Sequence, residues 1–248
     1  MKKPQDKLQE LVSRLRAACG DNLVSVVLYG SAARNEFHER YSDVNLLAVF
    51  RDLSGGHLAL LGPIIRWWTR DEQFTPPLMM TEVELRESAD VFAIELLDIQ
   101  HMHETLFGKD LVSEINIPMN LHRVEVEHEL RTILLRLRQH LLLNPDNQDE
   151  LRKVLAKSIG GVSTLLRHAL IAVGESAPHE RSKILEQAGA TFGLDVGVMQ
   201  AVLALRSDRI HPTNVSEVYN AYMNAIGRVA HELDARAPKR QLQKISSV

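Results

Sequence analysis

One cysteine, Cys19, stands in a chain of 248 residues. That scarcity excludes an intramolecular disulfide and a cysteine-rich zinc site. Set in an apolar helical pattern, Cys19 reads as a buried thiol in a reducing compartment. Charge of one sign is also lacking. A formal net charge of -3 and a pI near 6.4 give no general electrostatic reason to bind nucleic acid or an anionic membrane, since both demand a basic surface. Long apolar runs are absent too. Nowhere do about eighteen apolar residues follow one another, and the opening Met1-Lys2-Lys3-Pro4-Gln5-Asp6 leads into a charged amphipathic stretch, so a cytoplasmic protein with no membrane partner is expected. Neither an internal repeat nor a low-complexity block is visible.

What is present, 45% hydrophobic and 25% charged residues, suits a globular chain of two domains. Leu8, Leu11, Val12 and Leu15 recur at helical spacing, and Gly20 offers a stop. Leu23 to Tyr29 and Val44 to Phe50 are Val- and Leu-rich runs bounded by turn residues, which predicts two buried strands joined by a polar connection. Leu58, Leu61, Ile64, Ile65 and Trp68 form a helical face interrupted by Pro63, on which Trp67 and Trp68 serve packing. Leu78-Met79-Met80-Thr81 predicts a short third strand, followed by a charged helix from Glu82 to about Ser88. Periodicity leaves residues 91–111 open between a strand and helix and one helix.

From Leu121 onward the pattern is helical throughout. Leu130, Ile133, Leu134, Leu137 and Leu141 make one face, and a second follows the turn Asn144-Pro145-Asp146-Asn147, predicting an antiparallel pair. Shorter helices fit residues 181–192 and 195–205. A last long one starts at Asn214, with Glu217 as its capping partner. The fold class expected is therefore α+β: a mixed sheet with flanking helices over residues 1–118, an all-α bundle over 119–237 and a flexible tail over 238–248.

The chemistry gathers at the first strand pair. Gly30-Ser31 directly follows a buried strand, where a residue without a side chain lets backbone amides meet a phosphate oxygen. Eleven residues separate Ser31 from Asp43, and strand alternation puts Asp43 and Asn45 on one face. Two acids at those positions could share divalent metals. Here the second is an amide.

Tyr29-Gly30-Ser31, Ala32-Ala33-Arg34 and Ser42-Asp43-Val44-Asn45-Leu46 resemble the signature of the DNA polymerase beta-like nucleotidyltransferase superfamily, in the version of its minimal and antibiotic-modifying members. Leu106-Phe107-Gly108-Lys109-Asp110 is more loosely similar to a segment of bacterial members, and the helical half resembles the bundles of aminoglycoside nucleotidyltransferases. The resemblance implies a nucleotidyltransferase-fold sheet, Mg2+ or Mn2+ held by the paired acids, and a nucleoside triphosphate (NTP) as donor. A hydroxyl-bearing small molecule or protein would be the acceptor, attacked in line, with the bundle closing over the substrate cleft and no DNA involved. A homodimer is compatible with it. Asp43 matches the first acid, Gly30, Ser31 and Arg34 match nucleotide-binding positions, and Asn45 stands where the second acid belongs. Asn45 keeps a carbonyl oxygen for a metal but brings no charge, so the cation is expected to bind weakly. For the third carboxylate Leu78-Met79-Met80 offers nothing, and Glu95 is preferred over Glu82 and Asp98.

A noncatalytic nucleotide-binding or antitoxin-like interaction module is the alternative that Asn45 favours. Arg206 and His211 also resemble the Arg, four residues, His pattern of HEPN ribonucleases, which gives a lesser alternative beside the plain reading of a helix end stopped by Pro212. Asp98, His101 and His103 are a weak metal cluster, because two-residue spacing cannot share a helical face. Arg131, Arg136, Arg138, Lys153, Lys157 and Arg167 read as the wet faces of bundle helices.

Overall fold

A computed structural model describes residues 4–34, 44–206 and 214–236. They fall into two compact units, residues 1–118 and 119–248. Asp43, His211 and the tail from Pro238 lie outside the described residues.

The first unit opens with α1 (Pro4–Cys19), which carries Asp6 in its first turn and Arg16 in its last, the polarity the helix dipole favours. Leu8, Leu11 and Leu15 form its buried stripe, each fully covered leucine contributing about 2 kcal/mol. Cys19 is only half-buried rather than fully so, because it sits at the helix end, and burial raises its thiol pKa.

The strands β1 (Leu23–Tyr29), β2 (Asn45–Phe50), β3 (Leu78–Thr81) and β4 (His103–Gly108) form one sheet in the order β3-β2-β1-β4. β1 runs antiparallel to both β2 and β4, whereas β2 and β3 are parallel. A parallel pair needs a crossover, supplied by α2 (Gly55–Arg66), which accommodates Pro63 and passes into a wide π turn over Trp67–Asp71. That turn swings Trp68 into the core, where it is wholly buried. Its indole N–H donates to Thr75 O at 2.8 Å, and its ring stacks on Phe74 at 4.3 Å. Trp67 instead carries the Arg14 guanidinium, 3.9 Å from its ring centre. Both tryptophans pack.

Residues 91–111 resolve into α4 (Ala93–His101) followed by β4. Between β3 and α4 lies α3 (Glu82–Glu87), opened by a reciprocal cap in which Thr81 Oγ1 accepts from Glu84 N–H and Glu84 accepts from Thr81 N–H. Alternation sorts the sheet into two faces. Leu23, Val26, Leu28, Val44, Leu46, Ala48 and Phe50 share a core with α1 and α2. Val27, Leu47 and Val49, also fully buried, point the other way. The parity of β1 depends on an irregularity between Leu23 and Ser25, where Val24 has no partner in the register with β2.

The second unit consists of α5 (Met119–Leu143), α6 (Gln148–Ala172), α7 (Arg181–Phe192), α8 (Val196–Leu205) and α9 (Val215–Ala235). Asn147, Asp195 and Asn214 cap α6, α8 and α9 by accepting from backbone N–H groups. Gly193 ends α7 in the left-handed conformation. Tyr219 donates to Leu137 O at 2.9 Å, and burial pushes its pKa up to about 12.

The bundle core also holds charge and imidazole. Arg167 is buried rather than on a wet face, because Nη2 donates to Nε2 of His168 at 3.2 Å. A guanidinium only donates, so His168 carries its proton on Nδ1 and donates it to Nε2 of His122, 2.9 Å away. His122 must then keep its proton on Nδ1, a buried atom with no hydrogen-bond partner among the described residues. Burial first, then the electrostatic influence of His168, lowers the His122 pKa to about 4.

Candidate functional site

The end of β1 turns at Gly30, whose φ of +79° is the left-handed conformation that glycine tolerates best. Its own N–H donates to Met102 O at 2.9 Å, prolonging the contact of β1 with the start of β4. This amide is therefore engaged, which corrects the expectation that it offers itself to a phosphate. Past it, Ser31–Arg34 form a short 3-10 turn closed by Ala33 N–H donating to Gly30 O at 3.0 Å. The first amides of such a turn, Ser31 and Ala32, have no acceptor inside it. Arg34 closes the same turn.

Tyr29 stands opposite Asn45 on β2 and opposite His103 on β4. Directly opposed residues point to the same face. The three thus form a cross-strand row on the face away from α1 and α2. A β-carbon placed on Gly30 would lie 3.4 Å from Nδ2 of Asn45, so the turn and the amide meet. Glu95 is exposed in the first turn of α4, and burial first, then the Glu95 charge, raise the Tyr29 pKa. Gly30 and Asn45 thus meet at one end of the sheet, with Ser31 and Arg34 next in chain, and the Glu95 charge acts on Tyr29 beside them.

Tyr29 and His103 join the row, Tyr29 beside its part in the Gly30-Ser31 signature and His103 in place of a metal cluster with Asp98 and His101. Both ring nitrogens of His103 face acceptors, Nδ1 toward Gln100 O at 3.2 Å and Nε2 toward Asp110 Oδ1 at 3.1 Å. Asp110 in turn accepts from the Ser113 hydroxyl at 2.6 Å and the Ser113 N–H at 3.1 Å. The Ser113 hydroxyl most of all, with the Ser113 amide and His103 adding, holds its carboxyl below the usual range. The signal that could have found His103 was the β1–β4 register, which an undivided reading of residues 91–111 hides.

Asp98, His101 and His103 do not form a metal site. His101 ends α4 with Nδ1–H donating to Leu97 O at 2.8 Å, while His103 belongs to β4. Among the described residues no three His, Cys, Asp or Glu side chains come together as a metal-binding group. Glu82 opens α3 at the other end of β3, directly after Thr81, which pairs with Phe50. Arg206 follows α8 and sets its guanidinium 2.8 Å from where a β-carbon on Gly160 would stand, a packing role against α6.

No family model matches the chain, and no curated protein does either. Solved structures do. Spectinomycin adenyltransferase AAD(9) from Enterococcus faecialis, crystallised with ATP and spectinomycin, superposes with a TM-score of 0.55 over 90% of this chain and 99% of that one, at 15% identity. The likeness establishes a nucleotidyltransferase-type fold: a mixed four-stranded sheet with flanking helices and a helical C-terminal part. None of the helices among the described residues is long and apolar enough to cross a membrane.

Proposed function

We propose that this chain is a nucleotidyltransferase-like protein that moves a nucleoside monophosphate from a nucleoside triphosphate to a hydroxyl acceptor. What carries the reading is the meeting of the Gly30 turn with Asn45 at one end of the central strand pair, in a chain of this fold. Residues 1–118 serve as the nucleotidyltransferase-like domain and 119–237 as the helical bundle. In the reaction the acceptor oxygen bonds to the α-phosphorus as the bond to the bridging oxygen breaks, and pyrophosphate leaves. Ser31 and Ala32 amides hold phosphate oxygens, and Arg34 offsets triphosphate charge. Glu95 takes the hydroxyl proton.

Asp43 and the carbonyl oxygen of Asn45 would hold Mg2+ or Mn2+. Bound there, the cation would neutralise charge on the attacking and departing oxygens. The donor set fits a weak hold, because an amide supplies an oxygen without charge. ATP and a hydroxylated small molecule of the spectinomycin kind are the first substrates to try, since both accompany the structural neighbour.

The neutrality of Asn45 supports a second reading, a noncatalytic nucleotide-binding or antitoxin-like module. Pyrophosphate release with ATP, GTP, CTP and UTP, each with Mg2+ or Mn2+, decides between them. Slow release by wild type that rises at least about 10-fold in Asn45→Asp favours the enzyme, as charge restored to a ligand position should act at least as strongly as a change beside one. Release by the variant alone favours the module. Release by neither removes the enzymatic reading.

A further inference from the structure

At the opposite end of the sheet from Gly30 lies a second cleft of about 630 Å³, bordered by Arg16, Asp21, Arg51, Glu82, Phe107 and Lys109 among others. Antiparallel pairing explains why these residues converge. The start of β1 lies beside the ends of β2 and β4, so Arg51 and Lys109, each just past a strand end, meet Arg16 from the last turn of α1. The length of β1, seven residues, separates this cleft from the Gly30 turn by roughly 20 Å.

The two guanidiniums are held by contacts that do not consume their charge. Arg16 lies over the Phe107 ring, 4.8 Å from its centre, and Arg51 donates through Nε to Asp21 O at 2.9 Å. That leaves the paired terminal N–H groups of Arg51 available. Among the described residues neither arginine, nor Lys109, has a carboxylate in ion-pair distance; elsewhere Arg14, Arg86, Arg123, Arg131 and Arg152 each have at least one.

Two acids also border the cleft. Glu82 shares the Arg86 guanidinium with Glu114, each 3.2 Å away, so its charge is offset in part. Asp21 opposes in full, and the C-terminal end of α1 adds about half a negative charge more. Three cations against about two negative charges leave a positive excess, in a chain whose formal net charge is -3. Guanidinium forks suit the oxygens of phosphate groups. A cleft of this size takes a small ligand rather than a macromolecule, and Phe107 has one ring face covered by Arg16.

We infer that this cleft is a second anion site, selective for a small multiply charged phosphate such as an inorganic triphosphate, and separate from the proposed nucleotide site. It does not depend on the transfer reaction. Calorimetric titration of the full chain with sodium tripolyphosphate, without divalent cations, tests it. The expected result is one-to-one binding that weakens at least tenfold in Arg51→Gln and in Lys109→Gln. Asp21→Asn should tighten it severalfold, a gain that damaged folding cannot produce. Citrate, similar in charge, should bind at least tenfold more weakly. No binding by wild type at millimolar tripolyphosphate overturns the site. So does binding that is indifferent to all three substitutions, since the anion then sits elsewhere. Citrate binding as tight as tripolyphosphate overturns the assignment to phosphate.

Discussion

Gly30 and Asn45 face each other where β1 ends and β2 begins, so close that a β-carbon on the glycine would stand 3.4 Å from the amide nitrogen of the asparagine. That distance is ordinary contact, and the obstacle to a side chain at residue 30 is conformational. Its φ is +79°, a region costing an L-residue about 1–2 kcal/mol. Gly30→Ala should therefore lower unfolding free energy by about that amount in urea titrations. A loss well above it would mean that Asn45 cannot yield.

Gly108 presents the opposite balance. A β-carbon there would lie 1.9 Å from Val24 O, backbone that cannot step aside, and φ is +81°. Overpacking of about 1–3 kcal/mol adds to the conformational cost. Gly108→Ala should thus destabilise more than Gly30→Ala, by about 2–5 kcal/mol in the same titration. Equal losses for the two variants would contradict the close approach of β4 to β1.

The buried imidazoles of the bundle make stability depend on acidity. His122 has its pKa lowered to about 4 in the folded chain, against about 6.5 when unfolded. Above that higher value both states leave it neutral, and nothing is lost. As pH falls from about 6.5 toward 4, the unfolded chain takes up a proton that the folded chain refuses, so stability declines, by about 3 kcal/mol in full. Urea midpoints at pH 7.5, 5.5 and 4.5 should drop progressively, and His122→Phe should flatten the decline. An unchanged slope in that variant would clear His122 of the effect.

Much of the architecture was legible because burial imposes a period. The run Leu23 to Tyr29 is a strand end to end, and Leu78 to Thr81 another, since apolar stretches closed by turn residues have few other uses. The helices of the second unit were readable from the spacing of Leu130, Leu134 and Leu137 and from the caps Asn147 and Asn214. Residues 91–111 were not, because Phe92 to Ile99 and Thr105 to Phe107 are both short apolar runs, and only the register with β1 tells helix from strand. Arg167 misled for a related reason. Sequence shows a cation on a helix, while its burial depends on His168 and on neighbours distant in the chain. At the candidate site, the pairing of Asn45 with Tyr29 follows from register, whereas the engagement of the Gly30 amide by Met102 is a contact between distant segments that no local pattern encodes.

Val24, without a partner on β2, limits how β1 can change in length. Shortening β1 by that one residue would leave its composition nearly intact yet reverse its parity: Leu23 would either leave the α1 side or drag Tyr29 across to it. The partnership of Tyr29 with Asn45 and His103 is therefore guarded by a count, and a deletion harmless in an exposed loop would there rotate one whole row of side chains out of the place where a ligand could meet it.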